Sequence, residues 1–352
     1  TVAEAVVARM SASDDRMPPP PNAAATAAEI ALVQDWIDAG YPAKPADEMC
    51  GSTGTGGGGG MPGLNCEPDL PLTAAVPFEM PASSTDEQIC FGIDVPAGDA
   101  KRHITAIAPR IDNDKIIHHI LLLEAPQSVS PDPAPCAFTQ SDWKLIYGWG
   151  PGTPTMILPE EAGFPLDAGG TLHFVLQIHY NNLQGLVGET DQSGIDLCTT
   201  DEVRPNDADV MAFGTTSLSL SPMATTRVDC SVPVPSLLDA FFPVQVFQSW
   251  PHMHQLGTKL SGNVNGGAPF VQVDDYDCDY QTTYPAEVTI DVGDSVGTSC
   301  TFDNNTPNTV TFGEDTNDEM CFNFVAYYPR INNPQWSWIL PASGAQCSSQ
   351  IE

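Results

Sequence analysis

Two hydrophobic periods divide the chain. Near the N-terminus Ile30, Val33 and Ile37 recur at helical spacing, with Trp36 beside them. Thr26 and Glu29 stand just ahead of that run in the capping-box pattern, in which two side chains satisfy two free backbone N–H groups. Gly40 and Pro42 end it. This predicts a helical prefix over residues 1–50, with an extended turn from Arg16 to Pro21 in front of the helix. Residues 51–65 are a glycine-rich, flexible linker. Beyond it the texture changes to short runs of Val, Ile, Thr and Phe, broken by Pro, Gly, Asn and Asp roughly every 8–15 residues. That texture predicts an all-β fold of two antiparallel β-sandwich, jelly-roll-like domains. The clearest strands are 171–180 and 241–250. A polar stretch over 199–209 places the boundary between a first sandwich at 66–205 and a second at 206–352. No internal repeat of fixed period is visible.

Composition narrows the partners. The net charge is −33, with 45 acids against 12 bases. Nucleic acid and anionic membrane surfaces both require basic patches, so neither is an expected partner. No apolar run approaches the roughly 18 residues of a membrane span. No signal peptide is visible, so the sequence reads as a mature or trimmed form. Ten cysteines are scattered without a CxxC pair. That argues against zinc ribbons, thioredoxin chemistry and covalent haem, and for a disulfide framework in a secreted or periplasmic protein.

The candidate chemistry lies in the histidines. Five of seven fall in three motifs: His118 and His119 in IIHHILLLE, His179 in LQIHYNN, and His252 and His254 in WPHMHQLG. Imidazole is the commonest ligand for borderline metals, and a thioether such as Met320, just before Cys321, selects copper. On a strand His252 and His254 project from one face while Met253 points into the core. Adjacent histidines on a regular strand face opposite ways, so His118 and His119 can share a metal only at a strand start or a bulge. Gln177 shares the face of His179. His173, six residues back, lies about 20 Å away on a straight strand and reads as a non-ligand, as does His103. The acidic runs 274–280 and 314–319 read as solvated loops, since neither fits a calcium-loop pattern.

The order HHxLL, QxHY, HxHxxG and xEMC, together with YGWGPGTPTMILPEEAGF (147–164) and DQSGI (191–195), resembles the copper type II, ascorbate-dependent monooxygenases over about residues 66–348. The resemblance implies two copper ions, O2, and ascorbate or another one-electron reductant. It implies His118, His119 and His179 as ligands of an electron-storing copper, and His252, His254 and Met320 as ligands of an oxygen-binding copper. Gln177 is placed behind the first set. It also implies disulfides Cys66–Cys198, Cys90–Cys136, Cys230–Cys347 and Cys300–Cys321, leaving Cys50 and Cys278 to pair with each other. The prefix is similar to the tail of bacterial c-type cytochrome modules, with Met17 where an axial haem ligand would stand. A haem module is therefore a candidate electron donor, although no CxxCH is present.

The sequence also departs from the family. The amidating members carry an arginine two residues before the first histidine of H-x-H, where this chain has Trp250. They carry Asn and Tyr two and four residues after the methionine, where this chain has Phe322 and Phe324. Loss of a carboxylate clamp and gain of three aromatics predict a small apolar or aromatic substrate hydroxylated at an activated C–H bond. Two other readings remain in view: a copper-binding or storage protein without turnover, and a zinc-dependent hydrolase built on the three histidines.

Overall fold

The computed structural model describes residues 64–351, apart from 138–141, 183, 316 and 334–335, together with Ile30 and Gln34. Ile30 and Gln34 are helical; Met17, Trp36, Cys50 and the rest of the expected prefix lie outside the described residues. Contacts divide the chain into units of 1–58 and 59–352, and all that follows concerns the second.

The fold is all-β. The first half builds a six-stranded and a five-stranded sheet; the second builds a four-stranded and a five-stranded sheet. The ladders are antiparallel except for Asn206–Asp207, which runs parallel to Ala162–Leu166. That short strand belongs to the first half by its pairing, so pairing passes to the second half at Asp209–Thr215. The only helical segments among residues 64–351 as described are Ser236–Phe241 and Leu340–Ser343.

Each sheet follows from its alternation. Thr171–Asn181 is central in its sheet, flanked by Asp86–Pro96 and Ile117–Ala125, and is buried almost throughout. A strand covered on both faces accepts a near-continuous apolar run such as LHFVLQIHY. The second clear strand begins later than the sequence implied, at Val244 rather than Phe241. Phe241 closes the short helix, and Pro243, which has no N–H to give to a ladder, delays the strand.

One hydrophobic core crosses from half to half. It runs from Phe91, Ile120 and Phe174 through Val210, Trp250, Met320, Phe324 and Trp338 without a polar break. Apolar burial of this kind favours a fixed arrangement over loose tethering. Four disulfides are closed: Cys66–Cys198, Cys90–Cys136, Cys230–Cys347 and Cys300–Cys321. They mark a chain that folds in an oxidising compartment. No helix among the described residues is long and apolar enough to cross a membrane.

Candidate metal centre

The three-histidine cluster is built by a bulge. His179 pairs with His119, but the next residue, Tyr180, pairs with Ile117, so His118 is the extra residue of strand Ile117–Ala125. The kink turns both histidines to one side. Nδ1 of His119 lies 3.3 Å from Nδ1 of His118 and 3.3 Å from Nδ1 of His179. The three ligand nitrogens fall within 4.8 Å of one another. Nε2 of His179 is engaged by the Asp86 carboxylate, which fixes the proton there and leaves Nδ1 with its lone pair facing the cluster. DQSGI supports the same strand: the Tyr180 hydroxyl donates to Asp191 at 2.9 Å, and Asp191 also accepts from Ser193 at 2.6 Å.

The second trio is set differently from the strand geometry expected. Its strand ends at His252, and His254 stands in the turn beyond. Glu319, fully buried, replaces the missing ladder. Its carboxylate accepts from the backbone N–H of His254 at 2.9 Å, Leu256 at 2.6 Å and Met320 at 3.2 Å. One carboxylate thus ties both ends of the trio together. The His252 Nδ1–H donates to Gln281 at 2.8 Å and the His254 Nδ1–H to the Asp318 carbonyl at 2.9 Å. Both imidazoles therefore keep Nε2 free. Met320 is buried beside them, and Met253 packs into the opposite core. Gly257 permits that packing, since a Cβ there would lie 2.6 Å from the Met253 side chain.

The histidines of both trios share one space. His118, His119, His179, His252 and His254 line a single cavity of about 20 Å³. A neighbouring cavity of about 20 Å³ is lined by His119, His252, His254 and Met320, with Leu121, Leu145, Trp250 and Phe324 as its apolar wall. Phe322 is not among those lining residues. It packs behind them, its ring 5.8 Å from Phe312 and 5.4 Å from Phe324. Trp250 reaches across the seam, because strand Lys144–Trp149 carries Gly148 opposite it; a Cβ there would lie 1.5 Å from the indole.

Burial sets the electrostatics. Desolvation, then the neighbouring His179, lowers His118 to about 4; desolvation, then His254, lowers His252 to about 3. His119 is pushed well below the ordinary imidazole range by the same causes. These histidines are neutral, as ligands must be. Burial raises Glu319 to about 7 against its backbone donors. The donor set fits copper: three imidazoles at one position, and two imidazoles with a buried thioether at the other.

Gln177 is fully buried, and its amide donates to Gln88 at 3.3 Å and the Cys136 carbonyl at 3.4 Å. It stands behind the first cluster, and these two bonds tie it to Gln88 and the Cys136 backbone, not to a histidine. His103 and His173 are engaged elsewhere, with Asp207 at 2.9 Å and Asp94 at 2.7 Å. Sequence reasoning missed Asp86, Gln281, Asp318, Glu319 and the 274–280 loop, whose Tyr276 hydroxyl bonds the Met253 backbone in both directions. Beside the cavity lies a groove of about 790 Å³ lined by Asp86, Glu87, Glu314 and Asp315.

Such a fold defines a class: paired β-sandwiches whose seam gathers imidazole and thioether donors. Residues 73–187 match the N-terminal domain, and residues 206–337 the C-terminal domain, of the copper type II ascorbate-dependent monooxygenases. The chain belongs to that family. It is 27% identical to dopamine beta-hydroxylase of Rattus norvegicus over 266 residues, 68% of this chain and 43% of that one. It is 28% identical to tyramine beta-hydroxylase of Caenorhabditis briggsae, over 64% of this chain and 42% of that one. It is 26% identical to human DBH-like monooxygenase protein 1, over 76% of this chain and 50% of that one. The chain thus spans half or less of the length of these relatives.

Proposed function

We propose that the chain is a two-copper monooxygenase that hydroxylates an activated C–H bond of a small aromatic substrate, using O2 and two external electrons. The observation that carries this is a pair of neighbouring cavities: five histidines line one, and three of them line the other together with a buried thioether. His118, His119 and His179 would hold one copper; His252, His254 and Met320 would hold the other. Copper, when bound, supplies one-electron redox chemistry and dioxygen activation, and the thioether favours Cu(I).

The chain supplies everything else. Asp86 holds the proton on Nε2 of His179. Gln281 and the Asp318 carbonyl hold the protons on Nδ1 of His252 and His254. Trp250, Phe324, Leu121 and Leu145 exclude water and offer an apolar face to a ring. The Trp250 indole N–H is buried without an acceptor. The names of two relatives, dopamine and tyramine hydroxylases, support an aromatic substrate. The reductant is ascorbate or another one-electron donor, a haem module included, and the compartment is extracellular or periplasmic.

Anaerobic copper titration followed by oxygen uptake tests this. We expect both histidine positions to fill with copper, and O2 consumption that needs both a reductant and an aromatic substrate such as tyramine. Copper bound without substrate-dependent O2 uptake across aromatic and aliphatic panels would support the storage reading. Zinc filling both positions with no preference for copper would support the hydrolase.

A further inference from the structure

His118 presents two nitrogens to two different neighbourhoods. Nδ1 faces His119 at 3.3 Å, inside the cluster already described. Nε2 faces the other way, toward the 274–280 loop of the second half, with Asp279 Oδ1 at 4.0 Å. Cys278 stands on that loop beside Asp279. A ring nitrogen of His118, the Cys278 thiol and the Asp279 carboxylate all lie within 4.8 Å of one another. Cys278 also lines the five-histidine cavity. Among the described residues it is the one cysteine outside a disulfide.

The loop that carries it is held from both halves. The Gln281 amide donates to the Cys278 carbonyl at 3.0 Å while its oxygen accepts from His252. The Gln281 carbonyl accepts from the Thr153 hydroxyl at 2.8 Å. These bonds place a sulfur, a nitrogen and an oxygen donor side by side at the rim, where the Asp279 side chain is 88% exposed and that of His118 only 20%. One donor meets solvent, one is half-buried, and one leads inward.

We propose that Cys278, Asp279 and Nε2 of His118 form an accessory site for a thiophilic metal cation, Cu(I) above all, at the mouth of the metal cavity. It rests on the copper reading only in that His118 also serves the three-histidine position. Soft thiolate selects Cu(I), whereas the two inner positions are built from imidazole and thioether. On binding, the sulfur–metal bond replaces the S–H bond and that proton leaves to solvent; where the inner position is also filled through Nδ1, the proton on Nε2 of His118 leaves as well and the ring bridges as imidazolate; no electron moves. An ion caught there shares a ring with the inner cluster, so the site is an entry point for copper.

The test uses the full chain and two probes. Cd2+ is added to metal-free protein and the thiolate-to-cadmium absorption in the ultraviolet is recorded, since imidazole and carboxylate give no such band. We expect the band in the wild type and in Cys50→Ser, and its loss in Cys278→Ser. Asp279→Asn should keep the band but need more Cd2+ to reach it. Anaerobic Cu(I) titration should then load one ion more in the wild type than in Cys278→Ser, and the excess Cu(I) should block alkylation of the Cys278 thiol. A Cys278 disulfide in non-reducing peptide mapping, or an unchanged band in Cys278→Ser, would overturn the proposal. So would equal Cu(I) uptake by the two proteins. Equal uptake of two ions would leave the two-copper reading standing while removing this site.

Discussion

At the scale of single residues, the design is one of committed and uncommitted ring nitrogens. Asp86, Gln281 and the Asp318 carbonyl each engage the nitrogen that faces away from the cavity, so each tautomer is fixed before a metal arrives. Met320→Leu conserves volume and should cost less than about 1.5 kcal/mol of stability. It should lower bound copper by one ion per chain, read by metal analysis beside a thermal melt. Protonation follows from burial. His118 and His252 are depressed to about 4 and about 3, so between about pH 4 and pH 6.5 these two rings bind fewer protons in the folded, metal-free chain than in the unfolded one. Their contribution to stability is therefore present above that pH and is lost as pH falls toward about 4. Copper should stay bound well below pH 6.5, because protons do not compete for these rings until about pH 4. A copper-release midpoint near 6.5 in an equilibrium titration would contradict the assignment. The proposed ligands could be picked out in the sequence because imidazole and thioether are rare and their motifs are short. Their partners were not. Asp86 lies 93 residues from His179 and Gln281 lies 29 from His252, and an aspartate or a glutamine carries no signature until pairing delivers it.

At the scale of elements, the alternation of apolar and polar positions was enough to expect sandwiches and to locate the long strand ending in His179. It could not say where a strand yields to a turn. The bulge at His118 is a register event between two strands, so the sequence could offer only strand start or bulge as alternatives. His254 was assigned to a strand because period two fits H-x-H; the structure reaches the same projection with a turn braced by Glu319. The disulfide Cys300–Cys321 joins the two sheets of the second half and adjoins Met320. Replacing both cysteines by alanine should cost about 2–5 kcal/mol. Because it frees the start of the strand Cys321–Tyr328, it should weaken copper at the His252–His254–Met320 position more than at the three histidines. Selective loss of one copper signal in electron paramagnetic resonance would show this, and equal loss at both would refute it.

At the scale of the whole molecule, the seam matters most, and it was invisible in the sequence. Nothing in the spacing of the motifs says that histidines of both halves line one cavity. The continuous core explains it: Trp250 from one half seats on Gly148 of the other, and the two histidine clusters are carried together. Gly148→Ala should therefore strain the seam by about 1–3 kcal/mol. Combining it with Trp250→Ala should cost less than the two single changes added, a coupling that a double-mutant cycle of unfolding free energies would measure. The acidic groove has its own consequence. Asp86, Glu87, Glu314 and Asp315 line a groove that shares Gln88 and Glu314 with the Met320 cavity, in a chain of net charge −33. Ascorbate is an anion at neutral pH and must climb that potential, whereas protonated amines descend it. Under the proposed function, added salt should therefore speed reduction by ascorbate and slow capture of a cationic amine, giving opposite slopes against ionic strength for the two steps.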